Sequence, residues 1–267
     1  MNLEDTAPAK QISRRRWWIH LILIGGYFAA AIPFALSQTP RRPALLSSPR
    51  GLLIVCAIQI ALFSIVFGLG WLASRASAEE LLLKWRPKWW VIPLGISYSI
   101  AIRLIVALVL FVIVAILIGT GLLARESVPG FAADSRTAAE RIVDISAIQH
   151  NRTYFWLTVT IASFVVAGLR EELWRSGTLA ALRALWPNLF EGQDGQIAGL
   201  ALIAIVFEFP HLRLGLLAAA MAAVLGFLLG IIMVVHQSIW PAVIAHGMFD
   251  ATSFAFLPTA LEHLQHT

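Results

Sequence analysis

The chain has 267 residues, of which 59% are hydrophobic and 13% charged, with a formal net charge of +5. Soluble domains carry about 25% charged residues, so this composition excludes an ordinary water-facing globule and implies a polytopic membrane protein. The bases cluster beside apolar runs, as at Arg14-Arg15-Arg16 ahead of Trp17-Trp18, which fits anchoring to anionic headgroups in a lipid bilayer rather than binding to nucleic acid.

Residues 1–16 are polar and read as a cytosolic N-terminal tail. Apolar stretches near the roughly 20 residues needed to span follow at about 17–36, 51–73, 90–122, 154–170, 196–212, 215–235 and 239–258. The first is longer than a signal-peptide core and has no small-residue cleavage site after it, so it reads as a retained helix. The single cysteine, Cys56, lies in the second; it reads as a small buried hydrophobe and leaves no disulfide within the chain and no cysteine-based zinc site.

The third stretch is too long for one perpendicular span and contains Pro93 and Arg103. The expectation is an interfacial piece followed by a span from about 103, with Arg103 snorkelling or marking a helix start. A separate, partly embedded helix is expected near 174–186. The fold class is therefore all-α, a polytopic bundle of about seven to eight transmembrane helices. Residues 17–125 form N-terminal transmembrane helices, 150–258 a C-terminal core and 259–267 a tail.

Residues 74–89 are mainly basic and residues 123–153 are charge-balanced, which puts the N-terminus in the cytoplasm. Arg41, Arg42 and Arg50 pull weakly the other way. Tryptophans and bases alternate from Lys84 to Trp90, a headgroup-level pattern. Gly226 and Gly230 form a GxxxG spacing that implies close helix packing.

Ionisable residues within apolar segments are costly and mark functional sites. Three elements carry them. Glu171-Glu172 follows the apolar run ending at Gly168. In a helix Glu171 and Arg175 are i,i+4 neighbours and are expected to pair, with Glu172 turned about 100° away. Phe207-Glu208-Phe209-Pro210-His211 closes the next run. His246 and Asp250 are i,i+4 and project from one helix face after Ser238-Ile239-Trp240-Pro241. Taken singly, each has a plain alternative: a solvated helix end, a structural histidine, a His–Asp bond between helices.

In this order the three elements resemble the CPBP family of intramembrane proteases, also called the CAAX-protease and bacteriocin-processing, or Abi, family. Its pattern is EExxxR, then FxxxH, then HxxxN or HxxxD. Glu171-Glu172 matches the opening of the first motif, Phe207 and His211 the second, and His246 and Asp250 the third. The family arginine slot holds Ser176, with Arg175 one position earlier. The likeness covers roughly residues 150–258.

The resemblance implies an intramembrane endopeptidase acting on a membrane-associated peptide or protein in a prokaryotic inner membrane. It implies Glu171 as general base with His211 its partner, Glu172 tuning the site, and His246 and Asp250 binding the scissile carbonyl. Arg175 and Phe207 support the site. A rival scheme in the family makes Glu171, His211 and His246 zinc ligands. Two other readings stay open: a non-catalytic membrane scaffold or immunity protein, and a proton-coupled transporter using Glu171, Glu172, Glu208 and His211.

Overall fold

A computed structural model describes residues 14–37, 44–122, 124 and 143–265. Among the described residues every regular element is helical. The long helices are α1 (Arg14–Ser37), α2 (Pro49–Ser74), α3 (Val91–Gly119), α4 (Arg152–Leu185), α5 (Gln193–Glu208), α6 (Leu216–His236) and α7 (Trp240–Gln265). Four are long and apolar enough to cross a membrane: α2, α3 with its leading turn, α4 and α6; α5 is apolar but shorter. The protein is an integral membrane helix bundle.

Two boundaries differ from the sequence expectation. The third apolar stretch is not split, and α3 runs unbroken through Arg103. Pro93 sits in its first turn, where a missing N–H breaks no intrahelical bond. No separate helix forms near 174–186 either, since α4 is one continuous 34-residue run, about 50 Å long at ~1.5 Å per residue. Its central charges, Arg170 with Glu171 and Arg175 with Glu172, pair locally and do not require an exit to water. It ends at Leu185 because Pro187 follows, and the pre-proline residue Trp186 leaves the helical region at φ −133°. The charge-balanced loop of 123–153 lies largely outside the described residues.

The stretch Thr158–Leu169 of α4 is wound as a π-helix. The Ser163 hydroxyl follows the same spacing, donating to the Thr158 carbonyl five residues back at 2.8 Å. π-helical winding is rare, and single π turns are frequent at functional sites; this stretch leads directly into Arg170-Glu171-Glu172.

One apolar core joins both halves of the chain. It contains Ile24 of α1, Phe63 of α2, Ile102 of α3, Trp174 of α4, Phe207 of α5, Met233 of α6 and Ala245 of α7. The segment Ser238-Ile239-Trp240 stitches α7 to the loop after α2. Ser238 donates to the Lys84 carbonyl (2.8 Å), Ile239 N–H to Leu82 (2.9 Å) and the Trp240 indole to Leu83 (2.8 Å). In that loop Glu79 is held below the usual carboxylate range by hydrogen bonding to Lys84 and Arg86.

Glycines allow two close helix approaches. A Cβ on Gly230 would lie 2.7 Å from Leu200, so the GxxxG face packs α6 on α5. A Cβ on Gly247 would lie 2.2 Å from the Phe164 ring, where α7 rests on the π stretch. Gly247→Ala is expected to destabilise the protein by about 1–3 kcal/mol through overpacking and to lower activity by shifting neighbouring His246. Thermal unfolding in detergent tests this, and Phe164→Ala should recover part of the loss. An unchanged melting temperature for the single variant would contradict the tight contact.

Candidate active site

The sequence elements converge. The helical phase of α4 turns Glu171 and Glu172 toward different neighbours, and each carboxylate acquires its own arginine. Arg170 donates to Glu171 at 3.1 Å and to Gln59 of α2 at 2.5 Å. Arg175 pairs with Glu172, three residues back, and lies 5.7 Å from the centre of the Phe207 ring. The expected Glu171–Arg175 pair is thus corrected. Both spacings are reachable on a helix, and the choice is tertiary: Gln59 holds Arg170 beside Glu171, while Phe207 lies under Arg175.

Glu172 is sealed from solvent, and its Oε1 also meets Nδ1 of His246 at 3.2 Å. Since a carboxylate only accepts, Nδ1–H donates there. The other edge of His246 faces the opposite carboxylates, with Nε2 3.9 Å from Glu171 Oε2 and 3.8 Å from Asp250 Oδ2. The His246–Asp250 face therefore forms as the i,i+4 spacing predicts.

His211 sits in the 3-10 turn Phe209–Leu214 that follows α5. Its ring lies 6.1 Å from that of Phe207, which packs at a tilt against Trp174 at 4.8 Å. Arg103 of α3, Glu171 of α4, His246 of α7 and His211 in the turn after α5 lie within electrostatic range of Asp250. The side chains of Glu208 and Arg213 lie outside the described ones.

Arg103 corrects another expectation. It does not snorkel; it donates to the Phe249 carbonyl (3.0 Å), Thr252 (2.5 Å) and Ser253 (3.2 Å) and lies over the Phe249 ring at 4.6 Å. It supplies positive charge to the α7 face that carries Asp250. Three carboxylates are thereby matched by three guanidinium groups, which is how charge survives burial in a bundle.

Among the described residues no group of three or more His, Cys, Asp or Glu side chains is placed to hold a metal ion. Arg170 engages Glu171, and Glu172 engages His246 Nδ1.

Ser176, in the family arginine slot, is 1% exposed and returns its hydroxyl to the Leu173 carbonyl at 3.2 Å. The adjacent Gly177 carbonyl meets His20 Nε2 at 3.1 Å. Ser176→Arg is expected to bury an unmatched charge, costing about 3 kcal/mol or more, and to reduce activity. A variant melting like the parent with equal or higher activity would show instead that this slot accepts the family residue.

Sequence reading missed His20, Gln59 and Arg103 as supports. His20 is fully buried and ties three helices, with Nδ1 2.9 Å from the Gly70 carbonyl and 3.0 Å from Ser74 Oγ, and Nε2 on Gly177. The available signal was a polar or charged residue alone in an apolar helix.

Fold and site together define an integral membrane protein with a buried glutamate, histidine and aspartate centre. Residues 153–252 match the family model described as Rce1-like, type II CAAX prenyl endopeptidase Rce1-like. That match covers the stretch whose motifs resemble the CAAX-protease family. Comparisons with curated proteins and with solved structures gave no match.

Proposed function

We propose that the protein is an intramembrane endopeptidase that hydrolyses a peptide bond in a membrane-associated substrate with water activated by Glu171 and His211. The observation that carries this reading is the difference between the two glutamates. The Glu171 side chain is 14% exposed, whereas that of Glu172 is 0% exposed, locked between Arg175 and His246. Only Glu171 has access to water, so it is the base.

Glu171 takes a proton from water, and the water oxygen bonds to the scissile carbonyl carbon. The carbonyl oxygen becomes an oxyanion facing His246, which as the imidazolium donates through Nε2–H while Nδ1–H stays on Glu172, and, when it carries a proton, Asp250. Collapse breaks the C–N bond, and the proton passes from Glu171 to the leaving amine. His211 orients the water beside Glu171. Glu172 fixes the ring of His246 through Nδ1, and Arg103 holds the α7 backbone next to Asp250.

The family description supports a lipid-anchored or membrane-embedded peptide as substrate class. The basic residues Arg14, Arg15 and Arg16, Lys84, Arg86 and Lys88 support a cytoplasmic N-terminus in a prokaryotic inner membrane. Cleavage in ¹⁸O-labelled water tests the chemistry. One ¹⁸O atom in the new C-terminal carboxylate is expected; unlabelled product would contradict direct attack by water.

A further inference from the structure

We infer that the face shared by α1, α4 and α5 is a binding site for one anionic phospholipid. A cavity of about 330 Å³ lies there, within the ~300–1,000 Å³ range of small-molecule sites. Its walls include Trp18 and Gly25 of α1, Trp174 and Thr178 of α4, and Leu202 and Val206 of α5.

The walls are apolar even where the residues are not. Thr178 returns its hydroxyl to the Trp174 carbonyl at 2.9 Å, and the Trp174 indole N–H donates to the Ile24 carbonyl at 2.6 Å. The polar groups of Thr178 and Trp174 are therefore turned away from the occupant. Ile22 is 65% exposed and Leu202 50% exposed, so the groove opens on the outside of the bundle, where its occupant is a hydrocarbon chain.

The headgroup end is basic. Helices α1 and α4 run antiparallel in a fixed register: Trp17 packs with Ala181, His20 bonds Gly177 and Ile24 bonds Trp174. Trp18 meets Trp186 edge-on at 5.2 Å. This register brings exposed Arg14, Arg15 and Arg16 level with Arg183 at the other helix's end. Arg183 Nη1 is buried and has no hydrogen-bond partner among the described residues. At ~1.5 Å per residue, Trp18 and Gly25 lie about 3 and 14 Å from Arg16 along the axis. A phosphate at the arginines thus hangs its acyl chain along the groove. Trp174, at the deep end, also touches Phe207 of the candidate active site. The site stands on its own observations and does not depend on the proteolytic reading.

The test is native mass spectrometry of the full-length protein, titrated in detergent with phosphatidylglycerol or with phosphatidylcholine of identical chains. The parent should prefer phosphatidylglycerol about five-fold for each cation engaged, the equivalent of ~1 kcal/mol. Arg183→Gln should reduce that preference about five-fold, and Arg183→Lys should keep it. Gly25→Leu should weaken both lipids, because its Cβ meets only Leu21 at 3.7 Å and the added chain enters the groove. Melting in detergent alone confirms that the variants fold. Equal binding of the two lipids by the parent would overturn the inference. So would a full preference in Arg183→Gln, or undiminished binding in Gly25→Leu.

Discussion

Glu171→Gln should lose peptide cleavage by about 10²–10⁴-fold, the usual contribution of a positioned general base, while melting stays close to that of the parent. The amide keeps the shape of the side chain and an oxygen that accepts from Arg170. Arg170 also keeps Gln59. What disappears is the ability to take a proton from water. Because Glu171 is partly open and its neighbour is sealed, the loss should appear in kcat with little change in KM. Cleavage within ten-fold of the parent would remove Glu171 from the role of base.

Glu172→Ala should act in a different way. It removes the counter-charge of Arg175, which is 1% exposed, and the acceptor of His246 Nδ1. Breaking one side of a buried pair costs about 3–5 kcal/mol, because the remaining charge stays buried and uncompensated. The expected result is a large fall in melting temperature together with loss of activity. Replacing both partners, Glu172→Leu with Arg175→Met, should recover much of the stability, since apolar groups of similar volume often match a buried pair. Activity should stay lost, because the ring of His246 is no longer held. A single variant that melts like the parent would show that Glu172 is not the structural carboxylate.

The contrast between the two glutamates was not legible in the sequence. Adjacent carboxylates on a helix differ by about 100° in direction, which says that they part but not which one reaches water. That was decided by Gln59 on α2 and Phe207 on α5, residues far away in the chain. The π stretch Thr158–Leu169 was invisible for a related reason: a pattern of nearly uniform apolar residues carries no phase, so it does not distinguish one helical winding from another. The same uniformity hid the continuity of α3 and α4.

Other features were readable because their chemistry is local. His246 and Asp250 share a face by spacing alone, and the structure keeps them 3.8 Å apart. The all-helical membrane fold followed from the scarcity of charge. Arg103 lies between these cases. A lone arginine in a 29-residue apolar helix announces a role. Its partners Thr252 and Ser253 are some 150 positions later and appear only once α3 packs on α7.

The measurement that tests the central claim most directly is cleavage of a membrane-peptide library by the purified, reconstituted protein, run beside Glu171→Ala and His211→Ala, each with and without a strong chelator. Water activation by Glu171 and His211 predicts defined products from the parent, insensitive to the chelator, and none from either variant. Equal cleavage by all three proteins would contradict it, as would no cleavage by a folded parent, or activity abolished by the chelator and restored by zinc alone.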